Sequence, residues 1–157
     1  MFSVTYREAD ARDVAAIVRF QMEMARETED LELDRATVTG GVCRVFESGT
    51  HGRYFVAERG GTVIACTLIT YEWSDWRCGT VWWIQSVYVV PEERRQGVYA
   101  GLYSHIKAIA EATPRVKGIR LYVDRRNTRA QTVYTRLGMN GDHYQVFEWM
   151  KTSEQKD

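Results

Sequence analysis

Hydrophobic and polar positions follow strand-like and helix-like patterns along the chain, and residues 84–103 contain the clearest change between the two. Residues 80–90 are mostly apolar, which is typical of a central strand buried on both faces. Pro91 ends this run because a proline has no backbone N–H to donate to a neighbouring strand. From Val98 to about Thr113, apolar residues recur at helical spacing. The pattern therefore predicts a strand, a short loop and a helix.

The loop between this strand and helix has the chemistry of an anion site. It contains Arg94, Arg95 and Gln96, and Gly97 stands directly before the helix. The first backbone N–H groups of a helix have no acceptor within the helix, and they carry the positive end of its dipole. A glycine at this point lets the backbone approach a ligand closely. The loop therefore predicts a binding site for a phosphate or pyrophosphate group.

The remaining pattern predicts strands and helices in an α/β order. The predicted strands are residues 4–7, 54–58, 62–71, 80–90, 118–123 and 143–150. The predicted helices run from Asp10 to about Met24, from Asp34 or Thr37 through Phe46, from Val98 to about Thr113, and from Thr128 to Gly138. Gly60 and Gly61 indicate a β-hairpin, and residues 72–79 form the next loop. This order predicts a mixed sheet, antiparallel first and parallel where a helix crosses over.

The last predicted helix has recognisable start and stop signals. Thr128 and Gln131 have the spacing of a capping box, and Gly138 ends the helix. One face is predicted to be buried, with the residues Ala130, Val133, Tyr134 and Leu137.

Composition limits the classes of function. The formal net charge is zero, with 21 basic and 21 acidic residues, whereas a general nucleic-acid binder carries a basic surplus. No apolar run approaches the roughly 20 residues of a membrane span, and we expect no signal peptide. Three cysteines without metal-site spacing indicate reduced thiols and no metal site, with Cys66 buried in a strand. We therefore expect a cytoplasmic protein without a nucleic-acid or membrane partner.

The length of the chain suits a single domain with one core. We expect this domain to cover residues 1–151. Residues 152–157 are all polar and are expected to form a fraying tail.

The loop and helix start resemble motif A of the GNAT superfamily of N-acetyltransferases, whose signature is Arg/Gln-x-x-Gly-x-Gly/Ala. Arg94 and Gly97 supply the first two signature positions. Tyr99 stands where the second Gly or Ala is usual, and Ala100 follows it. We therefore expect the Tyr99 side chain to point away from the phosphates, with backbone N–H binding retained.

Residues 127–139 resemble motif B of the same superfamily, in which an Asn precedes a short helix, a Tyr follows seven residues later, and Leu-Gly-Phe comes next. Asn127 and Tyr134 have this spacing, and Leu137-Gly138-Met139 follow. Met139 replaces the usual Phe, a mild change because the two side chains have similar volumes. The two motifs occur in the superfamily's order, and the resemblance covers nearly the whole chain.

The resemblance implies the GNAT acyl-CoA N-acyltransferase fold, with a central mixed β-sheet flanked by helices. It implies an enzyme with acetyl-CoA as cosubstrate that transfers the acetyl group directly to a primary amine, expected to belong to a small molecule. In this superfamily, the strand that corresponds to residues 80–90 carries a bulge and parts from the next strand. Two alternatives stay open: a non-catalytic CoA-binding or regulatory module on the same fold, and a protein N-acetyltransferase.

The resemblance also implies roles for individual residues. Backbone groups of the central strand hold the pantetheine arm and thioester carbonyl, at Val87, Tyr88 and Val89. The pyrophosphate lies against Arg95, Gln96, Gly97, Val98, Tyr99 and Ala100, and Arg94 belongs to the same cofactor-binding set. Asn127 and Ala130 contact the arm from the other side. Tyr134 also binds there and protonates the sulfur, since a phenol ordinarily titrates near 10 and is a donor at neutral pH.

Several arginines have two alternative interpretations. One of Arg94 and Arg95 is expected to neutralise a phosphate of CoA while the other faces water. Arg125, Arg126 and Arg129 form a second basic cluster, from which at least one side chain is expected near the ribose phosphate. Simple solvation of each arginine is the alternative.

The general base stays open between Glu27, Glu72 and a water chain, because residues 80–90 contain no acid. His51 and His143 are interpreted as surface residues. The tryptophans near the central strand either wall an acceptor pocket or cover a homodimer surface, with core filling as the plain alternative. These are Trp73, Trp76, Trp82 and Trp83. Glu23, Glu27, Glu29 and Asp30 would suit a cationic amine, and a solvated acidic segment is the alternative.

Overall fold

The computed structural model describes residues 3–151 and contains a five-stranded mixed sheet. The strands are β1 (Val4–Glu8), β2 (Arg53–Arg59), β3 (Thr62–Ser74), β4 (Gly79–Val89) and β5 (Val116–Arg120). The helices are α1 (Val14–Glu29), α2 (Arg35–Glu47), α3 (Val98–Ala112) and α4 (Thr128–Arg136), with short 3-10 turns at Ala11–Asp13 and Pro91–Glu93. The strands lie in chain order, β1 to β4 antiparallel and β5 parallel to β4. The predicted mixed sheet is confirmed.

The chain divides into two compact units, with the boundary between Leu121 and Tyr122. The first unit contains all five strands and α1 to α3, and the second contains α4. The single domain over residues 1–151 stays a prediction, and the predicted tail, residues 152–157, lies outside the described residues. Within residues 3–151, no helix is long and apolar enough to cross a membrane.

The helices of the first unit cover both faces of the sheet. α1 and α2 pack on one face, and their apolar residues form a cluster with Tyr54, Val56, Cys66 and Tyr88. Phe55 points to the opposite face because side chains alternate along a strand, and its ring meets His105 of α3 with centroids 6.1 Å apart. Cys66 is fully buried in β3 as predicted, and burial raises the pKa of its thiol to about 12.

The first two helices begin as the sequence indicates, but α1 ends later than predicted. Asp34 rather than Thr37 caps α2, since its carboxylate accepts the Thr37 backbone N–H at 2.8 Å. α1 continues past Met24 to Glu29 and ends at Asp30, which has a φ of 51°. The charged residues of the last turns face solvent, where charge does not interrupt an amphipathic helix.

The hairpin of β3 and β4 extends further than predicted. Residues 72–79 were predicted as a loop, but Glu72 pairs with Val81 and Trp73 with Thr80. Only Asp75–Cys78 form the connection. Polar and aromatic residues obscured this extension, because an exposed strand pair needs no apolar face to make its backbone hydrogen bonds.

Two predicted strands differ from the structure. β5 occupies Val116–Arg120, so it begins and ends before the predicted residues 118–123. Residues 143–150 form no strand, and that prediction is wrong for the described chain. Alternation alone does not make a strand, which needs a hydrogen-bonded neighbour. Within residues 122–151, no other strand provides one.

Candidate active site

β4 contains a bulge at the centre of the candidate site. Cys66 of β3 pairs with Tyr88, whereas Leu68 pairs with Gln85, so β4 has one residue more than β3 in this interval. Ser86 lies within it and has a left-handed φ of 54°. An extra residue of this kind bends a strand and turns backbone groups away from the regular ladder. The bulge that the resemblance implied is therefore present.

A buried threonine fixes this bulge from the neighbouring strand. Thr67 on β3 is fully buried, and its hydroxyl donates to the Gln85 carbonyl at 2.9 Å. The bond satisfies a buried hydroxyl and holds the carbonyl just before Ser86. No sequence pattern signals this role, since threonine is also an ordinary strand residue.

From Ile84 onwards, no described strand of the first unit pairs with β4 on the side of β5, and this part of β4 is called its open half. β5 pairs with β4 from Thr80 to Trp83, where the parallel register ends at Arg120. Further along, the Val90 N–H donates to Ile64 of β3 at 3.0 Å. Because the backbone groups of successive strand residues point to opposite sides, those of Val89 point away from β3. β4 therefore presents backbone groups on its open side at a position implied for the pantetheine arm.

The loop after β4 leads into an uncapped helix N-terminus. Arg95 and Gly97 have positive φ values of 65° and 76°. Gly97 is the N-cap residue of α3, and no hydrogen bond from a described side chain caps this end of the helix. A Cβ at Gly97 would meet nothing within 4 Å. The start of α3 therefore has no side-chain cap, and the backbone is approachable at Gly97, a combination that suits an anion.

The first turn of α3 accommodates a tyrosine where the superfamily signature has a small residue. The Tyr99 ring lies against Tyr103 one turn further along, with centroids 6.4 Å apart. The expectation that this ring points away from the phosphates stays a prediction. Gly101 was not singled out from the sequence, yet the Tyr6 phenol occupies the space that a Cβ there would need. A larger residue at position 101 would have to displace the Tyr6 ring at this crossing of β1 and α3.

Arg94 and Arg95 differ sharply in their surroundings. Arg94 Nε donates to the Val89 carbonyl at 2.8 Å, and one of its terminal nitrogens donates to Glu27 of α1, also at 2.8 Å. Its guanidinium carbon lies 5.4 Å from the centroid of the Tyr88 ring, in cation–π range. Arg95 is exposed. Arg94 therefore has protein partners although 36% of its side chain is exposed, and Arg95 is the more exposed arginine of the pair.

The Tyr88 side chain connects the bulged strand to α1. Its hydroxyl lies 2.9 Å from a Glu23 oxygen and 3.2 Å from a Glu27 oxygen, and its ring stacks on Phe20. Burial, reinforced by the two carboxylates, raises the pKa of Tyr88 above its ordinary range. The phenol therefore stays protonated at neutral pH as a hydrogen-bond donor. Tyr88 was expected to contribute backbone groups, and the sequence did not reveal this side-chain network.

Both carboxylates considered as general base already have protein partners. Glu27 accepts from Tyr88 with one oxygen and from Arg94 with the other. Glu72 accepts from Arg120 at 2.6 Å with one oxygen and from the Trp83 indole at 2.8 Å with the other. Each carboxylate is therefore a structural link between elements. The choice among Glu27, Glu72 and water stays open.

The four tryptophans occupy different environments. Trp82 is buried, and the Arg53 guanidinium lies 4.6 Å from the centroid of its indole. Trp83 is half-buried. Trp73 and Trp76 are 61% and 93% exposed, at the far end of the β3–β4 hairpin. Trp82 therefore fills the core. An acceptor pocket or a homodimer surface stays a prediction for Trp73, Trp76 and Trp83.

In the second unit, the motif B residues build the start of α4. Asn127 is the N-cap residue, and its side-chain oxygen accepts the Ala130 N–H at 3.0 Å. The predicted capping box of Thr128 and Gln131 is therefore wrong by one residue. Gln131 donates instead to the carbonyls of residues 124 and 125. An Asn N-cap is among the most favourable, which gives Asn127 a structural reason of its own.

The end of α4 follows the motif as well. Gly138 has a φ of 85°, and its N–H donates to Thr135. The Met139 N–H donates to the Tyr134 carbonyl at 3.0 Å, which completes a Schellman motif. Gly138 ends the helix as predicted. The predicted stripe is half-buried rather than buried, at Ala130, Val133, Tyr134 and Leu137.

The other candidate side chains of the sequence analysis lie at the surface. Arg126 pairs with Asp124 at 2.6 Å, and Arg125 and Arg129 are exposed. His51 and His143 are exposed, as expected for surface residues. Within residues 3–151, no group of three or more His, Cys, Asp or Glu residues is placed to hold a metal ion.

Comparison with solved structures and family models identifies relatives of this arrangement. The model of the acetyltransferase (GNAT) family matches residues 12–139. A possible acetyltransferase from Clostridium difficile 630 is 38% identical, with a TM-score of 0.88 over 96% of this chain and 99% of that one. No curated protein is significantly similar in sequence.

More distant structures share the fold. A predicted acetyltransferase from Clostridium acetobutylicum, solved with acetyl-CoA, is 18% identical, with a TM-score of 0.72 over 93% of this chain and 96% of that one. The aminoglycoside N-acetyltransferase AAC(6')-Iy, solved with CoA, is 14% identical, with a TM-score of 0.76 over 97% of both chains. The family model and the closer structure establish the relationship: the chain belongs to the GNAT family of acetyltransferases.

Proposed function

We propose that this protein is an acetyl-CoA-dependent N-acetyltransferase that transfers the acetyl group directly to the primary amine of a small molecule. The observation that carries the proposal is the uncapped N-terminus of α3 at Gly97, directly after the open half of β4. An anion and an extended amide-containing arm are the two parts of CoA that such a pair would bind. Two relatives of the same fold were solved with acetyl-CoA or CoA.

The first unit has suitable groups for both parts of this ligand. Backbone groups at Val87, Tyr88 and Val89 are proposed to hold the arm, since β4 is open here on the side of β5. The pyrophosphate is proposed to lie against residues 95–100, where Gly97 leaves open space and supplies no capping side chain. Arg95 is the arginine proposed to meet a phosphate, because its side chain is exposed. Acetyl-CoA supplies an activated thioester, and this chain positions it.

The second unit contributes to the proposal through the motif that it matches. Asn127 and Ala130 are proposed to contact the arm, and Tyr134 to donate a proton to the departing sulfur. Proton donation to a leaving group by a positioned side chain contributes about 10²–10⁴-fold in rate. A phenol suits the role, since it ordinarily carries its proton at neutral pH.

Replacement of Tyr134 by Phe tests the enzymatic role. The substitution keeps the ring and removes only the hydroxyl, so kcat is expected to fall about 10²–10⁴-fold while CoA affinity changes little. The measurement is release of free CoA thiol with acetyl-CoA and a library of small amines. Tyr71→Phe, on β3, is the matched control and should retain wild-type kcat. A Tyr134→Phe enzyme with kcat within about threefold of wild type would refute the assigned role.

The same assay separates the proposal from its two alternatives. A non-catalytic CoA-binding module would bind CoA and release no thiol with any amine. A protein N-acetyltransferase would be inactive on small amines and active on peptides. Binding of acetyl-CoA with turnover of a small amine supports the proposal as stated.

A further inference from the structure

We propose that Arg94 is a positioning residue that ties the open half of β4 and the phosphate loop, residues 94–97, to α1. The inference rests on the proposed function, because it concerns how the acetyl-CoA site is held in shape. It assigns Arg94 and its neighbour Arg95 to different tasks. Arg94 acts through the β4 backbone, and Arg95 meets a phosphate directly.

The guanidinium of Arg94 joins three elements of the first unit. Its Nε donates to the carbonyl of Val89 at the end of β4, and a terminal nitrogen donates to Glu27 on α1. Arg94 itself directly follows the 3-10 turn Pro91–Glu93, so its side chain folds back onto its own strand. The guanidinium also lies over the ring of Tyr88. One planar side chain therefore links the strand, the loop and the helix.

These bonds use one of the edges of the Arg94 guanidinium with which an arginine can bind a phosphate. Arginine recognises phosphates and carboxylates with two parallel N–H groups on one edge of the guanidinium. In Arg94, two nitrogens donate to different protein oxygens, and one of those oxygens belongs to a carboxylate. A phosphate bound through the other terminal nitrogen would share the guanidinium with Glu27 and could not use Nε. Nε and one terminal nitrogen of Arg94 are therefore engaged by the protein.

The carbonyl bond has a direct consequence for the open half of β4. A carbonyl fixed by Arg94 fixes the orientation of the Val89–Val90 peptide plane, because the peptide bond is planar. The backbone groups of Val89 point away from β3, on the side where a pantetheine arm would lie. The Val90 N–H of the same peptide donates to Ile64 of β3, so removing Arg94 would loosen the carbonyl side of this peptide while the bond to β3 remains. The expected loss is one of preorganisation, with no lost contact to the ligand.

Glu27 is the second member of the Arg94–Glu27 bridge between β4 and α1. Tyr88 holds the Glu27 carboxylate in place. The Tyr88 hydroxyl reaches one Glu27 oxygen at 3.2 Å, and Arg94 takes the other at 2.8 Å. A substitution at Glu27 should therefore reproduce the effect of a substitution at Arg94. Effects within one bridge are non-additive, because either change breaks the same link.

The experiment compares Arg94→Gln, Glu27→Gln, their double variant and Arg95→Gln. Hydrogen exchange of residues 87–97 is measured in ligand-free protein, and the Kd for CoA is measured at low and high salt. Arg26→Gln is the matched control, since Arg26 also lies on α1 but pairs with Glu32, 2.6 Å away and beyond the end of the helix. It should change neither exchange nor Kd.

The bridge predicts a specific set of outcomes. Arg94→Gln and Glu27→Gln should each accelerate exchange of residues 87–97 without ligand and each raise the Kd for CoA about 3- to 10-fold, with the double variant no worse than the larger single effect. Neither should alter the salt dependence of Kd. Arg95→Gln should leave ligand-free exchange unchanged and weaken the salt dependence, since it removes an exposed charge from the phosphates.

Arg94→Lys provides a further separation of the two roles. Lysine keeps the positive charge but lacks the planar fork that reaches two acceptors at once. A bridge predicts that Arg94→Lys behaves like Arg94→Gln, whereas a phosphate contact predicts near-wild-type Kd. The inference is overturned if Arg94→Lys binds like wild type, or if Arg94→Gln leaves ligand-free exchange unchanged. Wild-type protein that fails to bind CoA would refute the proposed function, while the exchange measurement would still decide the bridge.

Discussion

The two halves of β4 have different neighbours and therefore different tasks. Up to Trp83, the strand pairs with β3 on one side and with β5 on the other, so its backbone groups are used within the sheet. From Ile84 onwards, the described first unit provides β3 alone, and the register shifts at Ser86. Backbone groups without a strand partner must find another one. Here Arg94 donates a hydrogen bond to the Val89 carbonyl, and we propose that acetyl-CoA bonds to other backbone groups of this half.

One apolar strand can therefore contain a part that is fixed within the sheet and a part that is available to a ligand. The first half is fixed by ordinary ladder bonds, and the second is fixed by side chains from other elements. Thr67 holds the bulge, and Arg94 holds the end of the strand. Substitutions in the second half should therefore affect ligand binding, and equivalent substitutions elsewhere should affect only stability.

The largest expected effect comes from Gly97→Asp, which places a carboxylate at the start of α3, after the open half of β4. CoA at about 100 times its Kd should stabilise the wild-type fold by about 2.7 kcal/mol. In the variant, the carboxylate repels the phosphates and this stabilisation should vanish. Thermal melts with and without CoA provide the measurement.

Gly61→Asp is the matched control for this change. Gly61 also has a positive φ, 79°, and open space where a Cβ would lie, but it belongs to the β2–β3 turn. Both variants carry the same left-handed cost of about 1–2 kcal/mol. Only Gly97→Asp should lose the response to CoA. Equal responses in the two variants would show that α3 does not bind the phosphates.

Thr67→Val has the next largest expected effect and tests how the bulge is held. The substitution keeps the shape of the side chain but removes the donor to the Gln85 carbonyl, so stability should fall by about 1–3 kcal/mol. Thr70→Val is the control, since Thr70 pairs with Trp83 in the other half of β4 and its hydroxyl has only a 3.4 Å contact with Gln85. In urea denaturation, the unfolding midpoint should shift for Thr67→Val and not for Thr70→Val. Equal shifts would mean that the bulge needs no side-chain support.

Tyr88→Phe should change how stability depends on alkaline pH. The native pKa of Tyr88 is raised by burial, so its contribution is complete below the unfolded pKa of about 10 and is lost as pH rises towards the native value. Wild type should therefore lose about 1.4 kcal/mol per pH unit above pH 10 that the variant does not lose. The stability difference between the two, measured by denaturation from pH 8 to 11, should narrow. A constant difference would contradict this linkage.

Ser86→Gly is expected to have the smallest effect, and with the opposite sign. Ser86 has a φ of 54°, which is unfavourable for a residue with a Cβ and costs a glycine little. Relief of this strain, offset by the greater freedom of an unfolded glycine, should stabilise the protein by about 0.5–1 kcal/mol. Ser86→Ala keeps the strain and should not stabilise. A destabilised Ser86→Gly protein would show that the serine side chain itself supports the bulge.

The sequence predicted the features that local chemistry decides. The apolar run to Val90, Pro91 and Gly97 was sufficient to locate the strand, its end and the start of α3, because each acts through its own backbone. Gly138 marked a helix end for the same reason, and Asp34 was one of the two residues predicted to start α2. These features depend on neighbours a few residues away in the chain.

The sequence did not predict the features that distant residues decide. Arg94 reads as part of a basic loop, and only the folded chain brings it to Glu27 and Val89. Residues 143–150 alternate like a strand, yet a strand exists only with a partner. The hairpin loop was predicted too long because the sequence reports polarity, whereas strand pairing follows the backbone.

The burial of Cys66 has a practical consequence for measuring the proposed reaction. Reagents that detect free CoA thiol react with thiolates, and the raised pKa of Cys66 together with its burial keeps it protonated and out of reach at mildly alkaline pH. Cys78 is exposed at the hairpin connection and Cys43 is only half-buried. The background signal from the protein's own thiols should therefore come mainly from Cys78. Replacing Cys78 with Ser should lower this background. Cys78 is equally a natural attachment point for a single reporter dye.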